Sequence, residues 1–223
     1  MVLYSSGINP VTESMMAWIQ QQADDRREDY DIARRYYHGD HDSALTDRLK
    51  KFIPPRLMFR DNFMNVVVDS LAERLRVIGF DSEDDNFSEW SWNLWQKNRM
   101  DYVQVVIHTE TVMLGDSYVL CDWDAENERP RWTHQMPEMI LPHYNETTRD
   151  IDWVSKKWIQ RPRIGDDPET RLNIYHPDRV EMYLARGGVW ARYQDDADEE
   201  WPVPWLDRSG QPLGIPLVHF RNR

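Results

Sequence analysis

The spacing of apolar residues changes near residue 116, and this change limits the folds that are open to the chain. Before it, apolar residues recur every three to four positions, which is typical of helices with one buried face. After it, they alternate along short segments, which is typical of strands. Helices followed by strands indicate an α+β fold, with N-terminal helices and a mainly antiparallel β region.

Five helices are predicted in the first half. The first begins after Asn9, has Pro10 at its first position, and ends before Gly39, which is the usual placement of these residues at helix ends. The third has the clearest pattern, because its apolar residues follow the rhythm of a stripe that faces a core. The positions of this stripe are Phe63, Val66, Val67, Ser70, Leu71, Leu75 and Ile78, of which Ser70 alone is polar. The other helices are predicted over residues 43–52, 85–98 and 102–114.

The second half predicts five strands. They lie around residues 118–123, 151–155, 172–176, 180–184 and 189–193. The pair Gly187-Gly188 predicts a two-residue hairpin turn, and four prolines from Pro202 to Pro216 predict an extended, irregular C-terminal stretch. We therefore divide the chain into a helical part, 1–116, and a β-rich part, 117–223.

Composition excludes several classes of protein. The chain has 27 Lys and Arg against 39 Asp and Glu, a formal net charge of −12, which argues against a dedicated nucleic-acid-binding protein. Its one cysteine excludes an internal disulfide framework and a cysteine-rich zinc module. No apolar segment is long enough to span a membrane, and the N-terminus lacks the pattern of a secretion signal. We therefore expect a soluble, intracellular protein with no membrane partner.

One short cluster has the residue types of a metal site. His38, Asp40, His41 and Asp42 lie within five positions and have the side chains that bind divalent metals. Histidine, glycine and aspartate are also ordinary residues of the turn that follows a helix. We predict no metal, and we keep a metal-dependent hydrolase built on these four residues as an alternative function.

Cys121 and His108 are weak candidates for catalysis. A carboxylate beside Cys121, such as that of Asp122, raises the pKa of a thiol and makes it a poor nucleophile, so we interpret Cys121 as a packed structural residue. His108 lies among apolar helix residues, where a hydrogen-bonded core histidine is more common than a general base. The chain has no P-loop, GxGxxG or GxSxG motif. We predict no enzymatic activity and no cofactor.

A run of ordered motifs links the chain to a known family. Residues 65–80 read NVVVDSLAERLRVIGF, and further motifs follow the same order at residues 36–41, 94–101, 108–120, 137–149, 172–183 and 212–223. Together they resemble the portal proteins of tailed bacteriophages, and most of all the SPP1-like portals of actinobacterial phages. Met64 and Asn145 are conservative departures from the pattern. Portals of this family continue into a stem, a clip and a crown, so the chain resembles their N-terminal wing domain.

The resemblance implies a structural function in the virion. Portals form ring-shaped homo-oligomers, typically dodecamers, at the unique capsid vertex, and double-stranded DNA passes through the ring without sequence specificity. The implied partners are further copies of the chain, the terminase large subunit, the major capsid protein, the scaffold and head-completion proteins. The implied localisation is the virion, after assembly in the host cytoplasm. ATP hydrolysis belongs to the terminase, so the resemblance implies no catalytic residue in this chain.

A ring also implies an interface between neighbouring subunits. Such contacts are heterologous, because one face of a subunit meets a different face of the next. We place a candidate contact on the first predicted helix, where basic residues lie opposite a set of acidic ones. The basic residues are Arg26, Arg27, Arg34 and Arg35, and the acidic ones are Asp24, Asp25, Glu28 and Asp29. A second alternative is an assembly adaptor or decoy that has a portal-wing fold but forms no channel.

Overall fold

The structure is a computed structural model that describes residues 10–40, 51–52, 62–161, 167–194 and 200–222. It confirms the α+β class, with helices first and antiparallel strands after them. The chain packs as two compact units. The β unit comprises Met1–Arg26 and Tyr118–Val218, and the helical unit comprises Arg27–Ser117 and His219–Arg223. None of the helices in the described ranges is long and apolar enough to cross a membrane.

The described residues form four α-helices: α1 (Pro10–Tyr37), α2 (Met64–Ala72), α3 (Asp85–Lys97) and α4 (Met100–Leu114). The Asp84 side chain caps α3 by accepting a hydrogen bond from the Asn86 amide at 2.9 Å. Gly115 ends α4 with a φ of 86°, a conformation that favours glycine. The helix predicted over residues 43–52 lies outside the described residues, except for a turn at 51–52.

The third predicted helix is shorter than its apolar pattern indicates. The prediction ran from residue 63 to residue 78, but α2 ends at Ala72. The amides of Arg74 and Leu75 then donate to carbonyls three residues back, at 3.2 and 3.0 Å. This is the hydrogen-bond pattern of a 3₁₀ turn, which ends the α-helix. Val68 and Ala72 are the buried residues of α2. A helix this short depends on packing for its stability, and its packed face ends at Ala72.

Nine strands form two sheets in the described part of the chain. The first sheet has the order β2-β1-β9, and the second has the order β3-β4-β5-β6-β7, with β8 paired to β6. The strands are β1 (Asp116–Asp124), β2 (Arg129–Gln135), β3 (Ile140–Tyr144), β4 (Ile151–Gln160), β5 (Glu169–Tyr175), β6 (Arg179–Arg186), β7 (Val189–Arg192), β8 (Val203–Pro204) and β9 (Leu217–Arg221). A 3₁₀ turn, Pro137–Met139, precedes β3.

The five predicted strands correspond to β1, β4, β5, β6 and β7. Gly187 and Gly188 have φ angles of 59° and 82° and join β6 to β7, which confirms the predicted hairpin. The sequence did not predict β2, β3 or β8. It also assigned β9 to an irregular stretch, but every residue after Pro216 has an amide that can donate to a sheet. The assignment of residues 1–116 and 117–223 to two parts of a wing domain remains a prediction.

The core of the β unit has two clusters. One contains Tyr118, Leu120, Ile140, Val154, Tyr175, Val180 and Leu217. The other contains Met16, Ile19, Leu141, Leu172, Ile174 and Tyr183, so the start of α1 packs on the second sheet. Neighbours such as Ile140 and Leu141 belong to different clusters, because successive side chains of a strand point to opposite faces. Both faces of this sheet are therefore partly covered.

Candidate functional site

The main candidate for a functional surface is apolar and lies on the helical unit. Six residues of α2 and the segments that flank it are exposed by 47% to 82% of their surface. We call these residues the apolar stripe: Phe63, Val66, Val67, Leu71, Leu75 and Ile78. The sequence predicted that this stripe faces the core of the chain, and that prediction was wrong. Periodicity indicates that a face meets apolar surface, but it does not tell whether the same molecule supplies that surface.

Other helices of the same unit also expose large apolar residues. Phe87 and Trp90 of α3 are both about half exposed, with ring centroids 5.8 Å apart. Tyr102, Val105 and Val106 of α4 are exposed as well. Folded monomers rarely leave so many large apolar side chains in water, and extensive exposure marks an interaction surface.

The β unit carries a second candidate surface, an apolar concavity of about 410 Å³. We call it the β-unit groove. Its apolar lining includes Leu120, Trp123, Val180, Met182, Val203 and Trp205. Two of its polar groups bond to each other, because the Asn173 amide donates to the Tyr175 hydroxyl at 3.3 Å. The groove therefore offers mainly apolar contacts.

Cys121 also lines the β-unit groove. Burial raises the pKa of its thiol, which keeps the thiol protonated and poorly nucleophilic. This agrees with the interpretation of Cys121 as a packed residue. The nearby Asp122 carboxylate accepts a hydrogen bond from the Arg131 guanidinium at 2.6 Å.

The structure separates the four arginines of the predicted ring contact. Arg26 donates to the Tyr118 hydroxyl at 3.0 Å and to the Ile140 carbonyl at 3.4 Å. Its guanidinium group therefore makes hydrogen bonds within the β unit. Arg27 and Arg34 lie 4.0 and 3.8 Å from carboxylate oxygens of Asp31.

Arg35 is exposed and donates to the Asp40 carbonyl at 3.3 Å. Three of the four guanidinium groups, those of Arg27, Arg34 and Arg35, therefore lie on the helical-unit portion of α1. A ring contact through these residues remains a prediction.

The predicted metal cluster falls only partly within the described residues. His38 and Asp40 are described, and His41 and Asp42 lie outside. The His38 ring packs edge-on against Tyr37, with centroids 5.1 Å apart. Among the described residues, no group of three or more His, Cys, Asp or Glu side chains is placed to hold a metal ion.

His108 occupies a partly buried position on α4. Its ring lies edge-on to Phe220, with centroids 6.4 Å apart, and burial lowers the pKa of the imidazole. Its Nε2 atom is buried without a hydrogen-bond partner in the described structure. The environment therefore favours the neutral ring, although the hydrogen bond expected of a core histidine is not seen at Nε2.

Comparisons with known proteins agree with the motifs. The family described as "Phage portal protein, SPP1 Gp6-like" matches residues 16–222. The portal protein of Mycobacterium phage D29 is 25% identical over 174 residues, which cover 75% of this chain and 33% of the relative. The portal protein of Mycobacterium phage L5 is 23% identical over 143 residues, which cover 62% and 29%. The chain thus matches about a third of the length of these relatives.

Proposed function

Because the chain belongs to the SPP1 Gp6-like family of phage portal proteins, we propose that it acts as a ring-forming portal subunit at the unique capsid vertex. The family match over residues 16–222 carries this proposal. The exposed apolar residues of the helical unit support it, since surfaces of this kind are usually covered in an assembly. The ring, typically of twelve subunits, would let double-stranded DNA pass during packaging and ejection.

The proposed partners are those of a capsid vertex. They are neighbouring copies of the chain, the major capsid protein, the scaffold, the terminase large subunit and head-completion proteins. We infer that the chain supplies surfaces to these partners and no catalytic group. Its net charge of −12 suits a conduit for DNA, because repulsion between like charges shortens the time that a polyanion spends on the wall.

The test of this function is the native mass of the purified chain. We expect native mass spectrometry and sedimentation velocity to detect a closed ring of about a dozen subunits, in line with heterologous cyclic assembly. Negative-stain images should show a central channel. A chain that stays monomeric at every concentration and instead binds a preformed portal ring would contradict the proposal and favour the adaptor.

The hydrolase alternative has its own test. A hydrolase built on His38, Asp40, His41 and Asp42 requires stoichiometric metal in the purified protein. We expect elemental analysis to find no bound divalent metal, and we expect His41→Ala to leave ring formation unchanged. Stoichiometric metal that is lost in His41→Ala would favour the hydrolase.

A further inference from the structure

We propose that the start of α3 and the residues just before it bind a basic segment of a second copy of the chain. The binding surface consists of seven exposed residues, and we call it the acidic aromatic face: Asp81, Glu83, Asp84, Asp85, Phe87, Glu89 and Trp90. Its proposed occupant is the stretch 48–60, which we call the basic segment. The inference rests on the proposed ring function and names one contact between neighbouring subunits.

Phe87 and Trp90 form the apolar part of the acidic aromatic face. They lie three positions apart on α3, so their side chains are neighbours on the helix surface. Their ring centroids are 5.8 Å apart, and the two residues are 55% and 51% exposed. Aromatic side chains are enriched where proteins bind one another. This pair therefore has apolar surface left for a partner.

The charged residues of the acidic aromatic face are all acidic. All five are exposed, and none of them forms an ion pair within the described ranges. Asp84 caps α3, and Asp85 lies in its first turn, where a negative charge interacts favourably with the helix dipole. The other three lie outside the cap and the first turn. Lys97, the only basic residue of α3, lies at the opposite end of the helix.

The basic segment is the counterpart of this face in charge and in apolar content. It has five basic residues and no acidic one, although the whole chain has a net charge of −12. It stays net positive when the flanking Asp47 and Asp61 are included. The basic residues are Arg48, Lys50, Lys51, Arg56 and Arg60, and the large apolar ones are Leu49, Phe52, Ile53, Leu57, Met58 and Phe59.

The structure describes two residues of the basic segment, and both are exposed. Lys51 and Phe52 lie in a turn, and Phe52 is 79% exposed. A ring this open makes little contact with its own chain, so the occupant that we propose belongs to another copy. Opposite charges would steer the two surfaces together and set their register. The contact joins two different surfaces, as a cyclic ring requires.

Crosslinking between two variants tests the contact. Phe52→Cys and Glu89→Cys are each combined with Cys121→Ser, so that every chain has one thiol. The two proteins are mixed, one of them isotope-labelled, and treated with a short bismaleimide. Mass spectrometry should find a several-fold larger yield of mixed dimer than when Ile159→Cys replaces Glu89→Cys. Ile159 is an exposed apolar residue of β4, outside both surfaces.

Three results of this experiment would contradict the proposal. Equal yields of the two mixed dimers would overturn it. A chain with both Phe52→Cys and Glu89→Cys that crosslinks only within itself would also overturn it, because the segment would then bind its own α3. In 1 M salt, where charges act over only about 3 Å, the yield of mixed dimer should fall several-fold. A yield that does not change with salt would exclude a contact guided by charge.

Charge reversal measures the same contact through assembly. We expect Lys50→Glu with Lys51→Glu to lower the yield of rings roughly tenfold, since like charges would then face each other. Glu83→Lys with Glu89→Lys should have the same effect. The four substitutions together should restore most of the yield, because the charges would again be opposite.

The control for charge reversal lies in the β unit. Glu126 and Glu128 are exposed in the turn between β1 and β2, and changing both to Lys alters the net charge as much as the α3 pair does. This control should keep the full ring yield. Circular dichroism should give every variant the unfolding midpoint of the wild type. Equal losses of rings in the control and in the α3 variant would overturn the proposal.

The outcomes separate this inference from the proposed function. If the wild-type chain forms rings and the charge variants form them equally well, the ring function stands and this contact is wrong. If the chain forms no ring but the mixed dimer of Phe52→Cys and Glu89→Cys exceeds its control, the contact stands and the ring function fails for this part of a portal. If neither is seen, both proposals fail.

Discussion

His219 on β9 lies against Asp116 on β1, with the imidazole Nε2 atom 2.6 Å from a carboxylate oxygen of Asp116. The Tyr30 hydroxyl of α1 donates to the other carboxylate oxygen at 2.9 Å. The Asp116 side chain therefore joins residues of α1, β1 and β9 that all belong to the helical unit. This network is largely buried, because the His219 side chain is only 7% exposed.

Removing the carboxylate should destabilise the chain. We expect Asp116→Ala to lower the free energy of unfolding by about 2–3 kcal/mol, because two buried hydrogen-bonding groups lose a charged partner. Urea denaturation followed by circular dichroism measures this change. Asp81→Ala is the matched control, since Asp81 is exposed, and it should stay within about 0.5 kcal/mol of the wild type. Equal effects of the two substitutions would show that the network contributes nothing.

His143 should make the β unit sensitive to acid. Burial and, secondarily, the charge of Arg26 lower the pKa of His143 to about 4. Between the ordinary pKa of 6.5 and 4, the unfolded chain binds a proton that the folded chain does not. Stability from this group is therefore complete above pH 6.5 and is lost as the pH falls towards 4, by roughly 3 kcal/mol at most.

A single substitution isolates this effect. The His143 ring stacks on Trp153 with centroids 3.4 Å apart, so His143→Phe keeps a flat ring in the same position. We expect this variant to lose less stability than the wild type between pH 6.5 and 4, as measured by urea midpoints at each pH. Parallel pH profiles for the two proteins would contradict the assignment of acid sensitivity to His143.

Arg26 and Arg27 should differ in what they stabilise. Arg26→Ala removes two hydrogen bonds inside the β unit and should cost about 1–3 kcal/mol of folding free energy. Arg27→Ala affects only an exposed pair with Asp31 at 4.0 Å, which is worth less than about 1 kcal/mol. Thermal unfolding compares the two variants.

Because Arg26 is bonded within the β unit, a test of the predicted ring contact should leave it unchanged. Reversing Arg27, Arg34 and Arg35 to Glu, with Arg26 kept, changes the proposed ring surface and spares the fold. We expect fewer rings and an unchanged unfolding midpoint. Full ring yield would remove these three residues from the interface.

Cys121 should react slowly with thiol reagents. Burial raises its pKa, which reduces the fraction of reactive thiolate. We expect iodoacetamide to alkylate the folded protein several-fold more slowly than the protein in denaturing urea at the same pH. Mass spectrometry gives both rates directly, since the chain has one cysteine. Equal rates would mean that the thiol is as open in the fold as in the unfolded chain.

The sequence predicted the elements whose local signals agree with their packing. Helix α3 lies within one residue of the predicted range 85–98, and the Asp84 side chain caps its start in the structure. The β6–β7 hairpin was predicted because Gly187 and Gly188 permit the positive φ angles that the turn requires. In both cases a few adjacent residues determine the backbone.

The sequence predictions failed where the structure of a segment depends on residues far away in the chain. Strand β2 carries charged and aromatic residues without clean alternation, and its pairing with β1 gives it its structure. The stripe was assigned to the core because periodicity does not identify the partner of an apolar face. Likewise, the four arginines look alike in sequence, and only the fold reveals that Arg26 points at Tyr118.

The apolar stripe also affects how the chain behaves in solution. Exposed apolar residues such as Ile78 favour association between copies of the chain. The net charge of −12 makes these copies repel one another at low ionic strength. At physiological salt this repulsion reaches only about 8 Å, so added salt weakens the barrier that keeps the exposed apolar residues of two chains apart. Solubility and self-association thus have opposing requirements, and we expect ionic strength to adjust the balance between dispersed and associated chains.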